Sequence, residues 1–234
     1  MNKIFTHHYF SKKIIFQVVL SVLAIVLSTI SLKLQAQNYP SGFSQIQLAN
    51  GINAPTAMAF APDNRIFICR KNGQILIFKN GALNATPFVS INTTPSGERG
   101  LLGIALDPNF ETNNYVYVYY TLASGARNRI SRFTANGDVA VTGSELVILD
   151  LDPLSTATNH NGGTIKFGLD GKLYVSVGDN YNSANAQNLN TYHGKLLRIN
   201  ADGSIPTNNP YTTGTGQKKR IWATGLRNPF SFDI

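Results

Sequence analysis

Histidine is the side chain best suited to accept a proton near neutral pH, with an ordinary pKa of about 6.5. The chain sets one of its four histidines in an unusual frame, Asn159-His160-Asn161-Gly162-Gly163. Thr164 to Val177 follows with strand composition, broken by Asp170-Gly171, a strong hairpin signal. The hairpin accounts for the Asp and the Gly and leaves His160 without a task. In a loop entering a strand, His160 is able to take a hydroxyl proton, with Asn159 or Asn161 fixing its tautomer. Gly162 and Gly163 would let the backbone approach a bound molecule closely. The plain alternative is a histidine hydrogen-bonded to loop backbone.

Two other stretches hold more than a turn requires. "SGERGLLGIALDPNF", Ser96 to Phe110, carries Glu98, and "WATGLRNPF", Trp222 to Phe230, carries Arg227 and Asn228. A guanidinium is a fixed fork of donors that fits carboxylate oxygens, and Pro229 would stiffen the turn presenting it. Asp179, in Gly178-Asp179-Asn180, reads as a turn organiser, and Trp222 reads as core. His193 reads as a structural residue or a second rim group. The carboxylates are scattered, with no EF-hand or zinc spacing, so no metal ligand is named. The single cysteine, Cys69 in "RIFICRK", cannot close an internal disulfide and reads as a buried thiol.

The elements that would position these residues are strands. "AFAPDNRIFICRKNGQILIF", "ALDPNFETNNYVYVYYT" and "KFGLDGKLYVSVGDN" share one plan: an apolar strand, a polar Asp or Asn turn, then an aromatic or β-branched strand. Their anchors Phe60, Leu106 and Phe167 are 46 and 61 residues apart. Units of about 40–50 residues with short strands are the signature of a β-propeller, although a sandwich is compatible with the composition. Residues 37–234, at about 50 residues per blade, predict roughly four blades. Phe230, Phe232 and Ile234 alternate as a strand would, so the expectation is a partial propeller that stops short of closing its ring.

Residues 1–36 have a different character. Lys3, Lys12 and Lys13 precede an apolar run from Ile14 to Leu32, and Ala36 offers a cleavage point. This predicts a signal peptide, with an uncleaved anchor as the alternative, and so export to a periplasm or cell surface. The leader holds four lysines and no acidic residue, so its removal lowers the net charge from +8 to +4. What remains is dispersed, apart from Lys218-Lys219-Arg220, and offers no stripe for nucleic acid. A membrane partner is expected only if the leader is retained.

In order and wording, "GERGLLG", "NHNGG" with its following "GDN", and "GLRNPF" resemble the glucose/sorbosone dehydrogenases, which include the soluble quinoprotein glucose dehydrogenases and aldose sugar dehydrogenases. That family consists of six-bladed propellers carrying pyrroloquinoline quinone (PQQ). The resemblance covers residues 40–234 and would make them the N-terminal two-thirds of such a protein. It implies an all-β propeller in which His160 is the general base, removing the anomeric hydroxyl proton of an aldose while hydride passes to the quinone. A lactone would leave, and an external electron acceptor would reoxidise the cofactor. Arg227 and Asn228 would contact PQQ. Glu98, where the glucose enzymes carry glutamine, and Asn180 would face the sugar. Calcium is implied too, bound by a loop past "LRNPF", so none of its ligands is named. The rival expectation is a non-catalytic extracellular propeller binding carbohydrate or protein; a calcium-dependent lactonase propeller is a weaker third.

Overall fold

The computed structural model describes residues 16–21, 39–211 and 216–234, without the Gln217 side chain. It divides into two units, residues 1–46 and residues 47–234. Of the expected leader, only residues 16–21 are described, as a short helical stretch with exposed side chains. The remainder, its cleavage point included, lies outside the described residues. No helix among the described residues is long and apolar enough to cross a membrane.

The described residues of 47–234 build three antiparallel sheets. The first orders β1 (Pro55–Phe60), β2 (Ile66–Arg70), β3 (Gln74–Lys79) and β4 (Ala82–Leu83), with β5 (Val89–Ser90) also pairing with β3. The second orders β6 (Leu101–Leu106), β7 (Tyr115–Thr121), β8 (Arg127–Asn136) and β10 (Leu146–Pro153), with β9 (Val139–Ala140) beside β8. The third is a meander of β11 (Ile165–Phe167), β12 (Leu173–Val177), β13 (Lys195–Ile199) and β14 (Ile221–Ala223). Phe60, Leu106 and Phe167 are the last residues of β1, β6 and β11, so the repeat seen in sequence is the repeat of the first strands. Those first strands are neighbours: β1 lies against β6, and β6 against β11. Successive sheets joined in this way are the blades of a β-propeller.

The side chains explain why the sheets stack. In β7, Val116 and Val118 enter a core shared with Phe67, Cys69, Ile75 and Ile77 of the first sheet. Tyr117 and Tyr119 point the other way, into a core shared with Leu173, Val175 and Leu197 of the third. A strand alternates faces with period two, and here both faces are covered, so "YVYVYY" carries no polar alternation. Each fully buried apolar side chain of this size contributes about 1.5–3 kcal/mol. Cys69 is fully buried and desolvation pushes its thiol pKa up, as its packing position requires.

Some expectations need correction. The described residues form three sheets where the residue count predicts about four blades, because long segments between β10 and β11, β12 and β13, and β13 and β14 absorb the difference. No strand is formed at Phe230–Ile234; both end residues are exposed. Lys218, Lys219 and Arg220 lie in a 3-10 turn, Gly216–Arg220. Trp222 is 39% exposed, because β14 is the last strand of its sheet; it stands edge-on to Tyr174 with ring centroids 5.9 Å apart. Two single-turn helices, α1 (Phe110–Asn113) and α2 (Ala184–Gln187), complete the unit.

Candidate active site

His160 lies in the segment between β10 and β11, with its side chain only 8% exposed. Its backbone is left-handed, φ 59°, a conformation that costs a non-glycine residue free energy and must be held by its surroundings. The holders are identifiable. The His160 N–H donates to Glu98 Oε2 at 2.7 Å, and its carbonyl accepts the Asn180 N–H at 3.2 Å. Gly178 lies directly against that carbonyl: a Cβ there would come within 2.1 Å of it. Asn180 and Tyr181 are also left-handed, at φ 55° and 60°, so strain is gathered on both loops that meet here.

The ring is fixed by Asp179. His160 Nδ1 lies 2.7 Å from Asp179 Oδ1, and the Asp179 side chain is 3% exposed. A carboxylate only accepts, so Nδ1 is the donor, and in the neutral ring Nε2 keeps its lone pair. Nε2 makes no hydrogen bond to a described residue and is not sealed from solvent. The Tyr181 ring stands beside the imidazole, centroids 5.1 Å apart. The result is an imidazole oriented by Asp179, with an outward nitrogen that makes no hydrogen bond to a described residue.

This geometry corrects three expectations. The tautomer is set by Asp179, beyond its turn role, and not by a neighbouring asparagine. The Asn161 side chain instead joins Asn128 at 3.2 Å and the Thr158 carbonyl at 2.8 Å, while Asn159 Oδ1 accepts from the Thr158 hydroxyl. The glycine pair is required by protein contacts: a Cβ on Gly162 would lie 2.6 Å from the Ser176 carbonyl, and one on Gly163 2.5 Å from Leu102 Cβ. Asp179 also holds the next motif, since its N–H donates to the Arg227 carbonyl at 2.8 Å.

Glu98, His160, Asn180, Arg227 and Asn228 come together at one seam. Glu98 Oε2 accepts from Asn228 Nδ2 at 3.2 Å as well as from His160, and Asn228 Oδ1 accepts the Gly162 N–H at 3.1 Å. One carboxylate oxygen thus ties all three motifs. Arg99 strengthens the seam by donating from Nη2 to the Ser155 and Ala157 carbonyls, 2.7 and 3.0 Å away. Arg227 is exposed, and its guanidinium makes no hydrogen bond or ion pair to a described residue. Asn180 is buried, with its amide on the 155–157 backbone: Oδ1 accepts from Ser155 N–H at 2.6 Å and Nδ2 donates to the Ala157 carbonyl at 3.3 Å. His193 is buried, its Nε2 3.1 Å from the Pro153 carbonyl.

Sequence reasoning passed over Lys195. Its ammonium is buried and donates to the carbonyls of Asn185, Ala186 and His193 at 2.7, 3.0 and 2.7 Å; desolvation brings its pKa down to about 8. Asn185 Nδ2 in turn donates to the Asp179 carbonyl at 3.0 Å, so Lys195 braces the loop behind the His–Asp pair. Among the described residues no three His, Cys, Asp or Glu side chains cluster as a metal site.

Known proteins share this arrangement of chain. The aldose sugar dehydrogenase YliI of Escherichia coli K12 is 30% identical over 188 residues, 78% of this chain and 50% of the relative. Quinoprotein glucose dehydrogenase B of Acinetobacter calcoaceticus is 28% identical, covering 88% of this chain and 50% of that protein. The mouse hedgehog-interacting protein is 29% identical over 78% of this chain and 30% of its own length. The PQQ-bound aldose sugar dehydrogenase of Streptomyces coelicolor superposes with a TM-score of 0.66 at 29% identity, over 77% of this chain and 53% of that one. The chain thus spans about half the length of its dehydrogenase relatives, rather than two-thirds. The family model for Glucose / Sorbosone dehydrogenase matches residues 52–234, and the chain belongs to that family.

Proposed function

We propose that the protein is a PQQ-dependent sugar dehydrogenase that oxidises the anomeric carbon of an aldose to a lactone, with His160 as general base. The observation that carries this reading is the His160–Asp179 pair, with Nδ1 engaged at 2.7 Å and Nε2 left open. His160 Nε2 accepts the proton of the anomeric hydroxyl, and Asp179 keeps the ring oriented and favours the imidazolium that forms. Glu98 and Asn228 hold the loop so that Nε2 stays in place. Glu98 Oε1 has no hydrogen bond to a described residue and is the acceptor offered to a sugar hydroxyl.

The residues suit the cofactor. PQQ bears three carboxylates, and Arg227 presents an exposed guanidinium, without a partner among the described residues, whose own backbone is anchored to Asp179. Arg227 and Asn228 would hold it, and when bound it supplies the two-electron acceptor for the anomeric hydride. An external acceptor would complete the cycle, and calcium is expected with PQQ on a loop past "LRNPF". The composition of residues 1–36, basic and then apolar, supports export to a periplasm or cell surface.

The test is reconstitution of the complete protein with PQQ and calcium, followed by dye reduction with common aldoses. Turnover and quinone absorbance retained through gel filtration are the expected results; their absence would overturn the reading. A binding propeller without turnover is the second reading, favoured by the similarity to the hedgehog-interacting protein. It predicts a folded protein that retains no quinone.

A further inference from the structure

Lys195 opens β13 with a fully buried ammonium, which is costly in free energy unless each of its three protons finds an acceptor. Each does: the carbonyls of Asn185 and Ala186 in α2 and of His193 accept at 2.7, 3.0 and 2.7 Å. Asp152 lies near enough to favour the charge, while burial opposes it. The blade itself does not ask for this arrangement. Gln74 and Arg127, which open the third strands of the other two sheets, are only half-buried.

The carbonyls that hold Lys195 belong to a junction of three chain segments. Residues 178–187 supply Asp179, whose carbonyl accepts from Asn185 Nδ2 at 3.0 Å. Residues 225–227 supply Arg227 and reach the same place twice: the Gly225 N–H donates to the Ala186 carbonyl at 2.9 Å, and the Leu226 N–H to the Gly194 carbonyl at 3.1 Å. Gly194, beside Lys195, also donates to the Gly178 carbonyl at 2.9 Å. The junction has no slack: a Cβ on Gly194 would lie 2.6 Å from Ala186 Cα and 2.7 Å from the Leu226 carbonyl oxygen. The Ala186 carbonyl thus receives both the Lys195 ammonium and the loop that presents Arg227. A change at Lys195 is passed to the holder of His160 on one side and to the backbone of Arg227 on the other.

We propose that Lys195 is a positioning residue for the reaction at His160: its ammonium locks the Asp179 loop against the Arg227 loop and so sets the base relative to the cofactor. The proposal rests on His160 as the base. Lys195→Met keeps the length of the side chain and removes all three donors. In the complete, PQQ-loaded protein it should lower kcat about 10²-fold for an aldose that the wild type oxidises, by misplacement of the base. KM should stay within about twofold, since sugar contacts are untouched. Nitrogen-15 NMR should show neutral His160 losing its preference for a proton on Nδ1. Asn185→Leu, which breaks only the link to the Asp179 carbonyl, should act in the same direction more weakly, about tenfold on kcat. A wild-type kcat per folded molecule in Lys195→Met, or an unchanged His160 signal, would overturn the proposal; if that variant does not fold, the same results in Asn185→Leu would do so. If the wild type oxidises no aldose, the reading of His160 as the base fails by itself, and the His160 signal then decides. A lost preference upholds Lys195 as the residue that positions the pair, and an unchanged one overturns it.

Discussion

Two aspartates bracket β12, and they do opposite work. Asp170, before the strand, faces Arg198 of β13: its Oδ2 takes Nη2 at 2.7 Å and Nε at 2.9 Å. Asp179, after the strand, faces His160. The first partner is always charged, and the Asp170 side chain is 36% exposed, so this pair is a fastener between neighbouring strands. Arg198 is further held by Asn208, Asn209 and the face of Trp222, 5.0 Å away. The second partner is an imidazole, able to donate or accept at its ring nitrogens, and the Asp179 carboxylate that faces it is almost wholly enclosed. One residue type, nine positions apart, serves the fold at one end of the strand and, in the proposed mechanism, the chemistry at the other. Partner and burial decide which.

Breaking the chemical end should give the largest effect. His160→Gln keeps a hydrogen-bonding side chain toward Asp179 but has no basic nitrogen, so turnover of the complete protein should fall about 10²–10⁴-fold. Its melting temperature should barely move. Were His160 only a strut, stability would drop by about 1–3 kcal/mol and the folded fraction would react normally. Asp179→Asn removes the carboxylate with little change of shape. It should cost up to about 10⁴-fold in turnover, by loss of tautomer control, with PQQ retention unchanged.

Breaking the structural end should do the reverse. Asp170→Ala leaves Arg198 without its carboxylate, and should lower stability by about 1–2 kcal/mol in denaturant unfolding while turnover per folded molecule is unaffected. A loss of rate without a loss of stability would dissolve the distinction between the two aspartates. The pair also has an acid signature. Desolvation works to raise the Asp170 carboxyl, but Arg198, the Lys172 N–H and the Tyr174 hydroxyl outweigh it and hold its pKa below the ordinary value. A depressed carboxylate stabilises the fold fully above its unfolded pKa, about 4, and the contribution is lost as pH falls through the folded pKa. In Asp170→Ala the fall in stability below pH 4 should be shallower, as urea titrations at stepped pH would measure.

The structural end was the more legible in the sequence. Asp170-Gly171 announces a hairpin by local chemistry, and the Gly168 N–H to Lys172 carbonyl bond at 3.0 Å closes it. Phe60, Leu106 and Phe167 were readable as a repeat because each ends an equivalent strand. His160 stood out because no local element needed it. Its partner did not, because the contact joins residues 19 apart through a left-handed backbone at His160 and Asn180. Period and propensity carry no signal for such a fold-back. Glu98 was identified by its motif, but its contact with Asn228 spans 130 residues of sequence and depends on blades stacking side by side. Gly162 and Gly163 misled for the same reason: the close approach they permit is to Ser176 and Leu102, which only the assembled sheets bring near.

The central claim is that Asp179 holds His160 with Nδ1 protonated and Nε2 free to accept. Nitrogen-15 NMR of the histidine side chains in the complete protein, assigned by His160→Gln, reads this directly. The account predicts that neutral His160 shows a protonated Nδ1 and an unprotonated Nε2, and that Asp179→Asn abolishes the preference. A neutral His160 with its proton on Nε2, unchanged by Asp179→Asn, would contradict it.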